Sequence, residues 1–243
     1  MLVWVAFITK DANANLDSAE KNKCQSTDLV FVIDNTYSLS STIYDIKVAA
    51  AQILDQLSHL SDGKLRLGLV TFKDHVEVLE DLNAAPNVQE KIATLHKKID
   101  SIRASGGAAG PEASDEALRT VVHALSATDR RQSGDFSGKF EADTRIIIIV
   151  TDNLPGGFDD RFKKGVDDVN AAERAMEASA QNINISSIYV PTSYYSNDTT
   201  TENIMRDYAL ITGGLFIKID PSGKGAAKAV ADIIQACGRR PMV

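Results

Sequence analysis

The stretch FVIDNTYS, residues 31–38, runs as apolar strand material into Asp34 and then into hydroxyls at Thr36 and Ser38. Oxygen donors at i, i+2 and i+4 just past a strand suit two chemistries. One is a phosphoryl-transfer aspartate. The other is a hard divalent cation, which takes carboxylate and neutral oxygen ligands. The wider run DLVFVID (28–34) is apolar up to its closing acid, as expected of a strand buried on both faces.

Strand and helix patterns alternate from there. STIYDIKVAAAQILDQLSHL (41–60) places Ile43, Ile46, Ala50, Ile53, Leu54 and Leu57 at helical spacing. KLRLGLVTF (64–72) reads as a strand, and HVEVLEDL (75–82) alternates after a connection of only Lys73 and Asp74, which fits an antiparallel hairpin edge. Helices are expected near 88–103 and 112–126, separated by the glycine-rich ASGGAAGPE, and RIIIIVTD (145–152) is the clearest central strand. A helix near 167–181, strand 183–191, helix 201–211, short strand 214–219 and helix 223–236 follow. This order predicts an α/β fold: a doubly wound, mostly parallel central sheet with one antiparallel edge strand and helices on both faces. The low-order stretches are an N-terminal arm, the insert 128–143 and the polar tip 192–201. The expected organisation is an arm over 1–26, one domain over 27–237 and a tail over 238–243.

Composition narrows the function classes. The 243 residues, 44% of them aliphatic or aromatic, suffice for a layered core. With 26 basic against 33 acidic residues the net charge is −7, and the arginine pairs at 130–131 and 239–240 lack basic neighbours, so no nucleic-acid partner is expected. No run of 18 apolar residues occurs, which argues against stable membrane insertion. MLVWVAFITKDANA (1–14) has an apolar Leu2–Ile8 and an A-x-A at 12–14, the end of a secretory signal without its basic start; an extra strand is the alternative. Cys24 precedes the first core strand and Cys237 ends the last helical segment. If those elements are neighbours, a bridge ties the two ends of the domain together, and such bridges persist outside the cytosol. Otherwise these are two unrelated buried thiols.

In an open α/β sheet, function collects at the carboxyl ends of the strands. There the loops DNTYS, GGAAGPE and TDN bring together Asp34, Thr36, Ser38, Glu112 and Asp152. A nucleophilic Asp34, as in the haloacid dehalogenase phosphatases, is opposed by three features. No strand-end lysine is evident near the pocket, a long helix follows the aspartate at once, and TDN lacks the glycine of that family's late acidic motif.

The sequence resembles instead the von Willebrand factor A domain with its metal-ion-dependent adhesion site. Asp34, Thr36 and Ser38 match the D-x-S/T-x-S element, and Asp152 in IIIIVTDN matches the aspartate after the central strand. GGAAGPEASDEAL looks like the proline–glutamate version of the middle element, which carries that role onto Glu112. The resemblance spans about residues 27–237. It implies one site for Mg²⁺ (or Mn²⁺ or Ca²⁺), with Ser38, Thr36 and Glu112 in direct contact and Asp34 and Asp152 acting through bound water. Ser41, Thr42 and Ala109 stand where integrin β-subunits carry acids for flanking ions, so one metal is expected. It further implies a non-enzymatic binding domain, secreted, periplasmic or extracellular, whose partner is a protein presenting an acidic residue to the ion. The alternative is a cytoplasmic scaffold assisting an ATPase or metal-chelatase in trans; the phosphatase is a remote third reading. Helix capping is the ordinary alternative for Thr36 and Ser38. The four histidines stand apart and form no zinc spacing. Asp159, Asp160 and Arg161 follow Asp152 closely and are candidates for the rim of the site.

Overall fold

The computed structural model describes residues 24, 26–61, 64–82, 87–107, 110–159, 161–192 and 199–238. Most of the arm, the tail beyond 238 and Asp160 lie outside the described residues. Every residue of the first strand, β1 (Thr27–Asp34), is buried. Its odd positions Leu29, Phe31 and Ile33 enter one apolar cluster and its even positions Val30 and Val32 the other. The period of two along a strand therefore feeds two cores. The other central strand, β5 (Thr144–Thr151), divides the same way, with Ile146, Ile148 and Val150 on one face and Ile147 and Ile149 on the other.

The remaining elements are α1 (Ser40–Leu60), β2 (Leu65–Phe72), β3 (Val76–Glu80), α2 (Val88–Ser101), α3 (Ser114–His123), β4 (Gln132–Ser133), α4 (Asp167–Ala180), β6 (Asn184–Tyr189), α5 (Thr199–Thr212), β7 (Phe216–Lys218) and α6 (Ala226–Gln235). The sheet order is β4-β3-β2-β1-β5-β6-β7. All neighbours run parallel except β2 and β3, which pair antiparallel. Helices α1, α2 and α6 cover one face; α3, α4 and α5 cover the other. The expected doubly wound α/β architecture with its antiparallel strand is the one observed.

The insert over 128–143 differs from its low-order reading. β4 adds in parallel outside β3, and Phe136 is fully buried. Asp81 accepts hydrogen bonds from Ser137 N, Gly138 N and the Ser137 hydroxyl. At the far end, Asp28 holds Arg66 through two contacts at 2.7 and 2.5 Å and also accepts from Glu141 N and Ala142 N. Hydrogen bonds from backbone to side chain and a two-residue strand have no hydrophobic period, so the sequence pattern is silent about them.

Cys24 and Cys237 form a disulfide with Cα atoms 5.3 Å apart, joining residues 213 positions distant. α1 and α6 pack on the same face, which brings Cys24 and Cys237 together. In the chain-entropy model so long a loop gives about 5 kcal/mol, and measured gains are often smaller. The Cys24→Ser/Cys237→Ser variant is expected to melt about 10 °C lower at this domain size, followed by circular dichroism. A midpoint unchanged to within the error of the scan would show that the bridge does not stabilise the domain.

Candidate metal centre

Three loops leave the carboxyl edge of the sheet beside one another. β1 and β5 pair in parallel register with Ile33 opposite Val150, so Asp34 and Thr151 emerge together. The Thr151 hydroxyl donates to Asp34 Oδ2 at 2.6 Å, and Thr36 N donates to Asp34 Oδ1 at 2.9 Å. Asp34 is fully buried with both carboxylate oxygens bonded.

Backbone hydrogen bonds stitch the loops. Asn35 N donates to Phe72 O, Ser105 N to Asn35 O, and Tyr37 N to Gly106 O. Glu112 N donates to Leu154 O at 2.8 Å and Gly156 N to Glu112 O at 2.9 Å, which fixes the proline–glutamate loop to the loop after β5. Gly107 has φ +69°, and a Cβ there would lie 2.4 Å from Thr36 Cγ2 and 3.0 Å from Glu112 Oε1. This glycine is the back wall against which Thr36 and Glu112 meet, and a side chain would force them apart. Asp115 Oδ1 accepts from Gly157 N at 3.1 Å and so ties α3 to the same loop.

The Thr36 hydroxyl is not used for capping. Thr36 stands at the N-cap of a short 3₁₀ turn (Tyr37–Leu39) but makes no side-chain cap bond, and Leu39 at the start of α1 makes none. Thr36 Oγ1 lies 3.0 Å from Ser38 Oγ. Thr36 is buried and Ser38 is exposed, so the pair runs from the interior to the surface.

Burial and then the negative charge of Asp152 push the Asp34 carboxyl up to about 7, against the hydrogen bonds of Thr151 and Thr36. Burial likewise raises Asp152, against the hydroxyls of Thr192 and Ser38. Among the described residues, neither aspartate takes a hydrogen bond or ion pair from a lysine, arginine or histidine. Asp152 Oδ1 is buried with no donor in hydrogen-bonding geometry. Two buried carboxylates without a basic partner are costly, and either a proton or a cation relieves them. No group of three or more His, Cys, Asp or Glu side chains suited to a metal occurs among the described residues. The Thr36 and Ser38 hydroxyls are neutral oxygens of the kind an oxygen-seeking cation that retains waters can take.

The structure thus brings Asp34, Thr36, Ser38, Glu112 and Asp152 to one edge. Asp159 pairs instead with Lys163 on the surface, and Arg161 is exposed beside it. Sequence reasoning did not select Thr151, Thr192 or Gly107. Thr151 adjoins Asp152 in the chain and was legible by that adjacency; Thr192, whose hydroxyl donates to Asp152 Oδ2, is 40 residues away and was not.

A model of the von Willebrand factor type A domain matches residues 28–227. No curated protein sequence matches the chain. Among solved structures, proximal thread matrix protein 1 from the mussel byssus superposes with a TM-score of 0.60 at 16% identity over 88% of this chain and 47% of its own. It has also been solved with a zinc-occupied MIDAS motif. The von Willebrand factor domain of a type V pilus tip protein from Porphyromonas gingivalis gives 0.56 at 12% identity, covering 90% of this chain and 98% of that one. A von Willebrand factor type A protein from Catenulispora acidiphila gives 0.59 at 16%, covering 88% and 43%. The chain spans about half the length of the mussel protein and nearly all of the pilus domain. At these identities the likeness is one of fold. Together with the family match over residues 28–227, it establishes that the chain belongs to the von Willebrand factor type A domain family.

Proposed function

We propose that this domain binds a protein partner through a single divalent cation held by Asp34, Thr36, Ser38, Glu112 and Asp152. The observation that carries the reading is the buried Asp34–Asp152 pair with no basic side chain to balance it among the described residues, beside a Thr36 hydroxyl that makes no cap bond. The zinc-occupied motif of the mussel structure supports a metal in this position of the fold. Mg²⁺ is the preferred ion, with Mn²⁺ or Ca²⁺ as substitutes, because the donors are all oxygens. Ser38, Thr36 and Glu112 hold the ion directly; Asp34 and Asp152 orient bound water. Neutral hydroxyls leave the ion electron-poor, and an acidic side chain of the partner completes its shell.

Asp34 is placed to orient and not to attack, since it is fully buried with both oxygens bonded. Contrary to the sequence expectation a lysine, Lys73, does stand at the end of β2 near the pocket, but its Nζ bonds to Ser105 and not to Asp34, and the domain is read as a binding module. The Cys24–Cys237 bridge supports an extracellular or periplasmic setting over a cytosolic scaffold. No described helix is long and apolar enough to cross a membrane.

Calorimetric titration with Mg²⁺ or Mn²⁺ is expected to give one binding event. Ser38→Ala and Glu112→Ala should each weaken it at least about tenfold, and Asp152→Ala by about 10–100-fold, the range of residues that orient metal ligands. Unchanged titrations in Ser38→Ala and Glu112→Ala would remove the assignment. The far-ultraviolet circular dichroism in EDTA should match that of the loaded protein, because the sheet is closed by apolar packing.

Protons compete with the ion for the aspartate pair. A carboxyl titrating at about 7 in the metal-free fold should make the apparent metal affinity about tenfold weaker at pH 6 than at pH 8. Because this pKa is raised above the unfolded value of 3.8, the metal-free fold loses stability as pH rises from about 4 through 7. In EDTA the melting temperature should therefore be lower at pH 8 than at pH 6, with Mg²⁺ restoring it. An affinity flat across this range would mean that the pair stays ionised without the metal.

A further inference from the structure

A cleft of about 270 Å³ opens beside the metal loop, lined by Asn35, Thr71, Lys73, Glu77, Arg103 and Ser105 among others. Asn35 lies between Asp34 and Thr36, and its carbonyl accepts Ser105 N at 3.0 Å. Two residues beyond Ser105 is Gly107, against which Thr36 and Glu112 meet. The cleft and the metal loop thus share a wall.

Two cations flank this cleft in a chain whose net charge is −7. Lys73 Nζ is steadied by Ser105 O and Oγ, both at 3.2 Å. Arg103 Nη1 donates to Asp100 O at 2.8 Å and Ile102 O at 3.3 Å. All four acceptors are neutral, and neither cation forms an ion pair among the described residues. Next door, burial and then the charge of Arg103 lower the pKa of Lys47, against the opposing charge of Asp100. Glu77 is the one acid on the lining, held to the Thr71 hydroxyl at 3.5 Å. Asn35 is 8% exposed, and its buried Oδ1 has no hydrogen-bond partner. The cleft therefore offers cations to an anion, and Glu77 and Asn35 as acceptors for the N–H groups of a peptide.

We propose that this cleft is a second recognition pocket that takes a further acidic side chain of the same partner segment, so that the partner is a doubly acidic peptide. Resting on the metal-site reading above, this assigns one carboxylate to the ion and another to Lys73 and Arg103. The arrangement selects for paired acids, since a lone acid engages the ion only.

The test uses the Mn²⁺-loaded chain and labelled synthetic peptides read by fluorescence anisotropy. One series carries two aspartates separated by none to several glycines; the matched series has asparagine at the second position. The doubly acidic peptide of best spacing is expected to bind at least about fivefold tighter than its asparagine match, the size of one well-placed ion pair. That preference should shrink with added salt and vanish in Lys73→Gln/Arg103→Gln, while the singly acidic peptide binds the variant as it binds the parent. Equal binding of the two series at every spacing would overturn the proposal, as would a preference that survives in the variant. Binding of neither series to a chain that takes up Mn²⁺ would reject partner-carboxylate ligation and the second pocket with it. Failure to take up Mn²⁺ would reject the metal site itself.

Discussion

The parallel pairing of β1 with β5 is the constraint on which the candidate site depends. Both strands are buried along their length and feed apolar side chains to both faces, so their register is fixed by packing from each side. Because they run in the same direction, their closing acids are delivered to one edge. Asp34 and Asp152 then lie close enough that the charge of Asp152 makes Asp34 harder to ionise, while a hydrogen bond from Asp34 eases the ionisation of Asp152. A slip of one residue would exchange the two cores and separate the acids. The stability of the sheet thus holds together two charges that repel.

The two ends of the sheet divide the work. At the amino end, Cys24 is bonded to Cys237, and Asp28 gathers Arg66 together with two backbone amides of the insert. Removing Arg66, itself part-exposed, would strand the fully buried Asp28, a loss that for a wholly buried pair typically costs about 3–5 kcal/mol. At the carboxyl end, the loops are held mainly by backbone hydrogen bonds, which leaves the Thr36 hydroxyl free of capping duty. The insert links the ends. Arg131 Nη1 donates to Phe158 O at 2.5 Å, and Arg130 lies 5.5 Å over the Phe158 ring while pairing with Glu116 at 2.8 Å. An arginine pair that looks idle in the sequence is thus a clamp on the loop that follows Asp152.

The elements that were legible are those with a strong period or a dense apolar run. DLVFVID and RIIIIVTD read as buried strands, and the 41–60 helix shows its stripe, because burial dictates residue type at each position. Four of the five candidate site residues, Asp34, Thr36, Ser38 and Asp152, were legible for a related reason: they follow those runs closely, where polar atoms need a purpose, whereas Glu112 was picked out by the resemblance of its loop. The insert was not legible, since Asp81 and Asp28 hold it through backbone amides that any residue supplies. The cleft at Lys73 and Arg103 was equally hidden, as its walls come from the loop after β1, from β2 and β3, and from the end of α2 and the segment after it.

The sequence by itself determined the alternation of strands and helices, the antiparallel turn at Lys73–Asp74 and the order of acids and hydroxyls along the chain. These are local matters, set by side-chain period and by loops too short for other geometry. Only the tertiary structure decided that the cysteines meet, that Gly107 backs Thr36 and Glu112, that Thr192 reaches Asp152, and that two cations flank a cleft beside Asn35. Each of these joins residues far apart in the chain, and their distance is fixed by how the sheet and its helices pack.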